Sequence, residues 1–280
     1  MKPTKLSTKK RINELKNMKV SENNMKPEVL VLIWHGVENT ASVSGYANIL
    51  IEGIQNNLPG SEVDRFSFVA LDWNKDVQPR ELRVFDACEK GLPFEKARKI
   101  KMTMAADVVC SARTKAGKGQ LEKTFAEVDE IISLHRAKNQ GKVVKIAHIG
   151  HSQGGQNAWE FCFDTGYPAS LLCVMGSPID LKSPAFEDYG CAPNVPTILN
   201  FWNGLDIVSS KLDTVHPSPS ISACVDDIEI KLPWWSPIGA IKKMNVKGFL
   251  GILWATARAH LYYWKSNQVH ERIALELSKI

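Results

Sequence analysis

Gly150-His151-Ser152-Gln153-Gly154-Gly155 is the stretch on which the reading of this chain turns. An apolar run, Val143-Val144-Lys145-Ile146-Ala147-His148-Ile149, leads into it. Gln156-Asn157-Ala158-Trp159-Glu160-Phe161-Cys162 leads away from it with helical character. The pattern is G-x-S-x-G at a strand–turn–helix junction. So tight a turn crowds the backbone, and the positions two before and two after the serine must be small. Gly150 and Gly154 meet that demand, and Gly155 lets the helix lie close to the strand. The turn lifts Ser152 to where a substrate carbonyl can reach it. The competing reading is a glycine-rich β–α turn whose serine caps the helix.

Outward from this junction, strand and helix patterns alternate. Glu28 to Trp34 is a continuous apolar run, as expected of a strand buried on both faces, and it closes at His35-Gly36. Tyr46, Ile49, Leu50, Ile54 and Leu58 recur at helical spacing, and Pro59-Gly60 ends that helix. A second strand is expected over residues 64–71. Residues 121–138 read as a helix with Leu121, Phe125, Val128, Ile131, Ile132 and His135 on one side. Further strands are expected at 143–149, 171–175 and 196–202. Residues 250–264 read as a last apolar segment around His260, and residues 266–280 as a closing helix. Two stretches break the rhythm. Residues 74–118 are charged and read as an insertion on the sheet's rim. In 207–250, Pro217, Pro219, Pro233 and Pro237 interrupt any long helix, so the region reads as loop-rich.

The expected fold class is therefore α/β, a mainly parallel central sheet covered by helices on both faces, with rim insertions. The expected organisation is a basic, flexible tail over 1–25, then one domain over 26–280 with insertions near 74–118 and 207–250. Ligands of such sheets bind beyond the carboxyl ends of the strands. His35, Ser152, Ser177 and Asp206 all fall just past expected strands and should gather on one rim.

A serine hydroxyl is a weak nucleophile at neutral pH. It needs an adjacent base, usually histidine, and the base needs a carboxylate to orient it. After a nucleophile elbow the chain order is Ser, Asp or Glu, then His. Asp206, in Asn203-Gly204-Leu205-Asp206, fits the second place, with Asp180 and Asp213 as competitors. A turn aspartate bonding its own backbone is the plain alternative. His260 fits the third place, with His216 second and His270 inside the closing helix. A core or surface histidine bonded to backbone is the alternative there. His151 holds the variable elbow position, so its ring is expected to pack. Negative charge built on the carbonyl oxygen needs two backbone N–H donors. Gln153, the residue after the serine, supplies one. Val37, after His35-Gly36, supplies the other, unless that stretch is only a strand-end turn.

With these residues in order, the chain resembles the α/β-hydrolase family, and within it the lipase-like serine esterases. The matching pieces are His35-Gly36, Gly150 to Gly155, Gly176-Ser177-Pro178, Asn203 to Asp206, and Ala259 to Trp264. The resemblance implies Ser152 as nucleophile, His260 as base, Asp206 as its partner, and Val37 with Gln153 as oxyanion donors. It implies hydrolysis of a small-molecule or lipid ester through an acyl-enzyme, with no metal or organic cofactor. Acyl transfer or thioester cleavage by the same triad is the enzymatic alternative. An inactive scaffold binding a lipid or protein partner is the non-enzymatic one. Two features depart from the family: there is little room for strands before Val29, and the 74–118 insertion has no assignable counterpart.

The remaining features set bounds. The 280 residues carry a net charge of +5, and most of the basic excess lies in the first 19 residues. That tail reads as a solvated terminus; contact with an anionic membrane surface is the functional alternative, and nucleic-acid binding is not expected. Trp234, Trp235, Phe249, Leu250 and Trp254 lie in 232–254, where they form either an apolar flap over an acyl pocket or part of the core. Clustered tryptophans also suit carbohydrate stacking. No apolar h-region follows the basic start, and no run of about 20 apolar residues is present. Cys88, Cys110, Cys162, Cys173, Cys191 and Cys224 show no C-x-x-C spacing. A cytoplasmic location is expected; the oligomeric state is left open.

Overall fold

Among the described residues, six strands, all parallel, form one sheet at the centre of the computed structural model. The structure describes residues 26–35, 40–71, 115–177, 179, 194–206, 209, 225–232 and 259–280. In chain order the elements are β1 (Glu28–Trp34), α1 (Thr40–Asn57), β2 (Phe66–Leu71), α2 (Lys115–Lys138), β3 (Val144–His151), α3 (Gln153–Asp164), β4 (Leu171–Met175), β5 (Ile198–Trp202), β6 (Val225–Glu229) and α4 (Asn267–Ser278). The strand order is β2-β1-β3-β4-β5-β6. The chain runs outward from β1 to β2, then restarts on the other side of β1 with β3. The reversal leaves a crevice between the carboxyl ends of β1 and β3, where open α/β sheets bind their ligands.

Strand alternation sorts the core into two layers. Val29, Val31, Ile33, Ala147, Ile149, Leu171, Cys173, Met175, Leu199 and Phe201 face one way and pack with Ala47, Leu50 and Ile54 of α1 and Val269, Ile273 and Leu277 of α4. Leu30, Leu32, Trp34, Ile146, Leu172, Val174 and Ile198 face the other way and pack with Val128 and Ile132 of α2 and Ala158, Trp159 and Cys162 of α3. Successive side chains of a strand point to opposite faces, so the continuous apolar runs of β1 and β4 are what a sheet covered on both sides requires. Helices do lie on both faces, and the topology is compatible with an α/β-hydrolase fold. Among the described residues, no helix is long and apolar enough to cross a membrane.

Element boundaries moved where local chemistry was subtle. α1 begins at Thr40 and α2 at Lys115, each six residues before the first periodic apolar residue. Residues 115–118, read as part of the rim insertion, belong to α2. A 3-10 turn at Val63–Arg65 takes the first residues of the expected second strand, so β2 starts at Phe66. β6 lies inside the stretch read as loop-rich; its acidic residues, the exposed Asp226 and Glu229 and the half-buried Asp227, obscure an apolar run. Residues 1–25 and 72–114 lie outside the described residues, as do most of 207–250.

Three buried histidines make acid stability predictable. His148 is fully buried in β3, accepts a hydrogen bond from Trp34 Nε1 at 3.0 Å, and burial pushes it down to about 3. Burial also lowers His151 and His270. A histidine with a depressed folded-state pKa binds its proton more readily in the unfolded chain. Its neutral form therefore supports the fold above about 6.5, and that support is lost as pH falls toward 3. Each such group makes stability fall by about 1.4 kcal/mol per pH unit across its window. Denaturant unfolding across this range should show that slope, and His148→Gln should flatten it by one proton's worth. An unchanged slope in the variant would contradict the assignment.

Candidate active site

Ser152 sits between β3 and α3 with φ 55° and ψ −130°. Among the described residues it is the one non-glycine with positive φ. A residue held in so sparsely populated a conformation costs about 1–3 kcal/mol and persists only where its surroundings enforce it. Those surroundings are visible. Ser152 N donates to Met175 O at 2.9 Å, tying the turn to the end of β4. Gly155 N and Gln156 N donate back to Ser152 O at 3.0 and 3.4 Å, opening α3. A side chain at Gly154 would strike the carbonyls of Trp34 and His35, and one at Gly150 would strike Gly155. The turn is thus wedged between the ends of β1, β3 and β4. Ser152 Oγ is buried and has no hydrogen-bond partner among the described residues, so the hydroxyl does not cap α3.

Gln153 is the first residue of α3, and the first amides of a helix have no intrahelical acceptor. Its backbone N–H therefore opens at the positive end of the helix, next to Ser152. Its side chain is occupied elsewhere: Nε2 lies 3.3 Å from Gln156 Oε1 and 3.2 Å from Asn157 Oδ1. Val37 lies outside the described residues. His35, which precedes it, is buried at the end of β1.

Asp206 and His260 meet across the rim. His260 Nδ1 lies 3.0 Å from Asp206 Oδ2 and 3.2 Å from Oδ1, and both residues are buried. Nδ1–H donates to the carboxylate, which leaves Nε2 as the basic nitrogen of the neutral ring. Asp206 is presented by a braced turn after β5. Asn203 Oδ1 accepts from Leu205 N at 2.8 Å, Asn203 Nδ2 donates to Ile230 O, and Asp206 N donates to Asn203 O at 2.9 Å. Asn203 takes the turn-forming role that Asp206 was alternatively read to have, and the Asp206 carboxylate turns to the histidine.

His151 links this pair to the elbow. Strand alternation places it on the same face as Ala147 and Ile149, beneath residues 259–265. Its Nε2–H donates to His260 O at 2.7 Å, and the two rings lie 4.6 Å apart. Trp264 closes the other side at 5.0 Å. Burial, then the nearby His260, hold His151 well below its usual range, so it is neutral and packs. Gly176 completes the floor. It has φ 55°, and a Cβ there would meet Tyr263 Cε2 at 2.7 Å, Asp206 Oδ2 at 2.8 Å and His260 Nδ1 at 3.2 Å. Only glycine lets the three side chains settle onto the end of β4.

The structure thus joins Asp206 to His260 and places Ser152 and Gln153 on the same rim, at the carboxyl ends of β3, β4 and β5, with Ser152 Oγ not hydrogen-bonded to His260. The competing His270 is elsewhere: it lies in α4, packs against Gly53 of α1, and bonds Trp264 O at 2.9 Å. Asp180, Asp213 and His216 lie outside the described residues, as does the apolar stretch 233–254. The contribution of Tyr263, whose hydroxyl reaches Asp206 Oδ2 at 3.0 Å, went unread in sequence. Its signal was its position three residues after His260, on the same face of a helical turn. Cys162 and Cys173 are buried free thiols whose pKa burial raises, so they are chemically quiet. No protein-family model matches the chain, and a search of curated proteins finds no match.

Proposed function

We propose that this protein is a serine hydrolase that cleaves carboxylic esters through an acyl-enzyme on Ser152, in the manner of lipase-like esterases. One observation carries the reading. A strained serine at a strand–helix turn shares a sheet rim with a buried Asp206–His260 pair bonded through Nδ1. Nothing in folding alone calls for a serine with φ 55°, whereas a nucleophile elbow does.

In the proposed reaction Ser152 Oγ attacks the ester carbonyl carbon and its proton passes to His260 Nε2. Asp206 keeps the proton on Nδ1 and stabilises the imidazolium that forms. Negative charge on the carbonyl oxygen is met by Gln153 N–H at the helix start, with Val37 N–H as the second donor. Collapse of the tetrahedral intermediate breaks the bond to the leaving alcohol, which takes the proton from His260. Water, deprotonated by His260, then attacks the acyl-enzyme and releases the acid.

The test is hydrolysis of p-nitrophenyl esters over short to long acyl chains, followed against pH. Turnover should fall below about pH 6, because protonated His260 cannot accept the serine proton. Turnover rising with chain length would mark an apolar acyl pocket; turnover on short chains alone would mark a small-ester hydrolase. No turnover on any chain, or a profile flat to about pH 5, would contradict the proposal.

A further inference from the structure

Asp206 is held by more than its histidine. Tyr263 follows His260 by three residues, so both side chains leave the same face of one helical turn. The Tyr263 hydroxyl lies 3.0 Å from Asp206 Oδ2, the oxygen that also accepts from His260 Nδ1. On its other side it lies 3.2 Å from Ser209 Oγ. Tyr263 is fully buried, and the Gly176 backbone leaves room for its ring edge beneath the carboxylate. Burial and the adjacent Asp206 both raise its pKa, so the phenol keeps its proton and acts as donor. Ser209 is joined in turn to the backbone of the same turn, lying 3.3 Å from Asn203 O and 3.2 Å from Asp206 O.

We propose that Tyr263 is a positioning residue for Asp206: its hydroxyl fixes the carboxylate and takes up part of its negative charge, so that Asp206 orients His260 without trapping it as the imidazolium. The inference rests on reading Ser152, His260 and Asp206 as a hydrolytic triad. Its physical basis is competition for one oxygen. A carboxylate that already accepts a hydrogen bond from an uncharged donor attracts the imidazolium less strongly than a bare one. Among the described residues, the titratable groups around this oxygen are His260 and Tyr263 from residues 259–265. His151 of β3 lies on the far side of the His260 ring, and His35 at the end of β1 is near His151.

Tyr263→Phe keeps the ring and deletes the hydroxyl. The His260 imidazole titration, followed by NMR in the full-length protein, should move upward by about half a unit or more. The acid limb of kcat/KM for a p-nitrophenyl ester should move with it. The loss should be small at neutral pH and approach about threefold on the acid limb, where a half-unit shift has its full effect. If Tyr263→Phe fails to fold, Ser209→Ala, which removes the acceptor competing with Asp206 for the one phenol proton, should shift the same titration in the opposite direction by less. A His260 titration unmoved in the folded variants, with any activity loss uniform across pH, would show that Tyr263 only packs and would overturn the inference. The NMR titration separates the two hypotheses. If wild-type protein hydrolyses no ester but the titration shifts, the functional reading fails and Tyr263 still controls the Asp206–His260 pair.

Discussion

Ser152→Ala is expected to lower kcat for ester hydrolysis by about 10⁶-fold while leaving the fold intact. The size follows from the chemistry: without Oγ there is no acyl-enzyme, and only binding and oxyanion stabilisation remain. The preserved fold follows from the structure. Ser152 Oγ has no hydrogen-bond partner among the described residues, so its removal leaves no buried group unsatisfied. Alanine tolerates φ 55° about as poorly as serine, so the thermal midpoint should change by no more than a few degrees. Ser152→Gly sharpens the point. Glycine relieves the backbone strain and should raise stability by up to about 1 kcal/mol while abolishing turnover just as completely. A gain in stability at the cost of function is the signature of a residue strained for its chemistry. Initial rates beside thermal melts for the two variants check both halves. Retained activity in Ser152→Ala would remove the serine from the mechanism.

Gly154→Val is expected to have the largest effect on the fold, a loss of about 3 kcal/mol or more. A side chain at Gly154 meets the backbone carbonyls of Trp34 and His35 at the end of β1. β1 cannot move aside, because it is paired along its length with β2 on one flank and β3 on the other. The strain must therefore be taken by the start of α3, which would carry Ser152 and the Gln153 N–H out of register. Loss of about 10 °C in the melting midpoint should accompany near-complete loss of activity. Gly204, by contrast, meets nothing within 4 Å, so Gly204→Ala is the control for a glycine in a turn of the same rim. Equal effects at both positions would contradict the packing argument.

Much of this architecture was legible from residue patterns, and the reasons differ from element to element. β1 and β4 were read to the residue because strands buried on both faces are continuous apolar runs with abrupt polar ends. α3 was legible because its glycines announce a turn that only a strand–helix junction needs. β6 was not, since a strand at the end of the sheet's strand order with exposed and half-buried acidic residues lacks the apolar run that marks a central strand. The candidate site shows the same division. Ser152, Asp206 and His260 could be proposed from chain order and motif, because chemistry restricts which residue types fit those roles. Tyr263, Asn203 and the carbonyl contact of His151 could not, because their roles depend on which side chains the sheet's pleat and one helical turn bring together. Gly176 lies between these cases: its Gly-Ser-Pro setting was noticed, but the need for a glycine shows only once three side chains are seen resting on it.

The central claim is that Ser152 is a nucleophile activated by His260. The most direct measurement is the intact mass and peptide map of the protein after treatment with a serine-directed phosphonate, wild type beside His260→Ala. One stoichiometric adduct on Ser152 is expected in the wild type, with strongly slowed labelling in the variant. A wild-type protein left unmodified, or labelled equally well without His260, would contradict it.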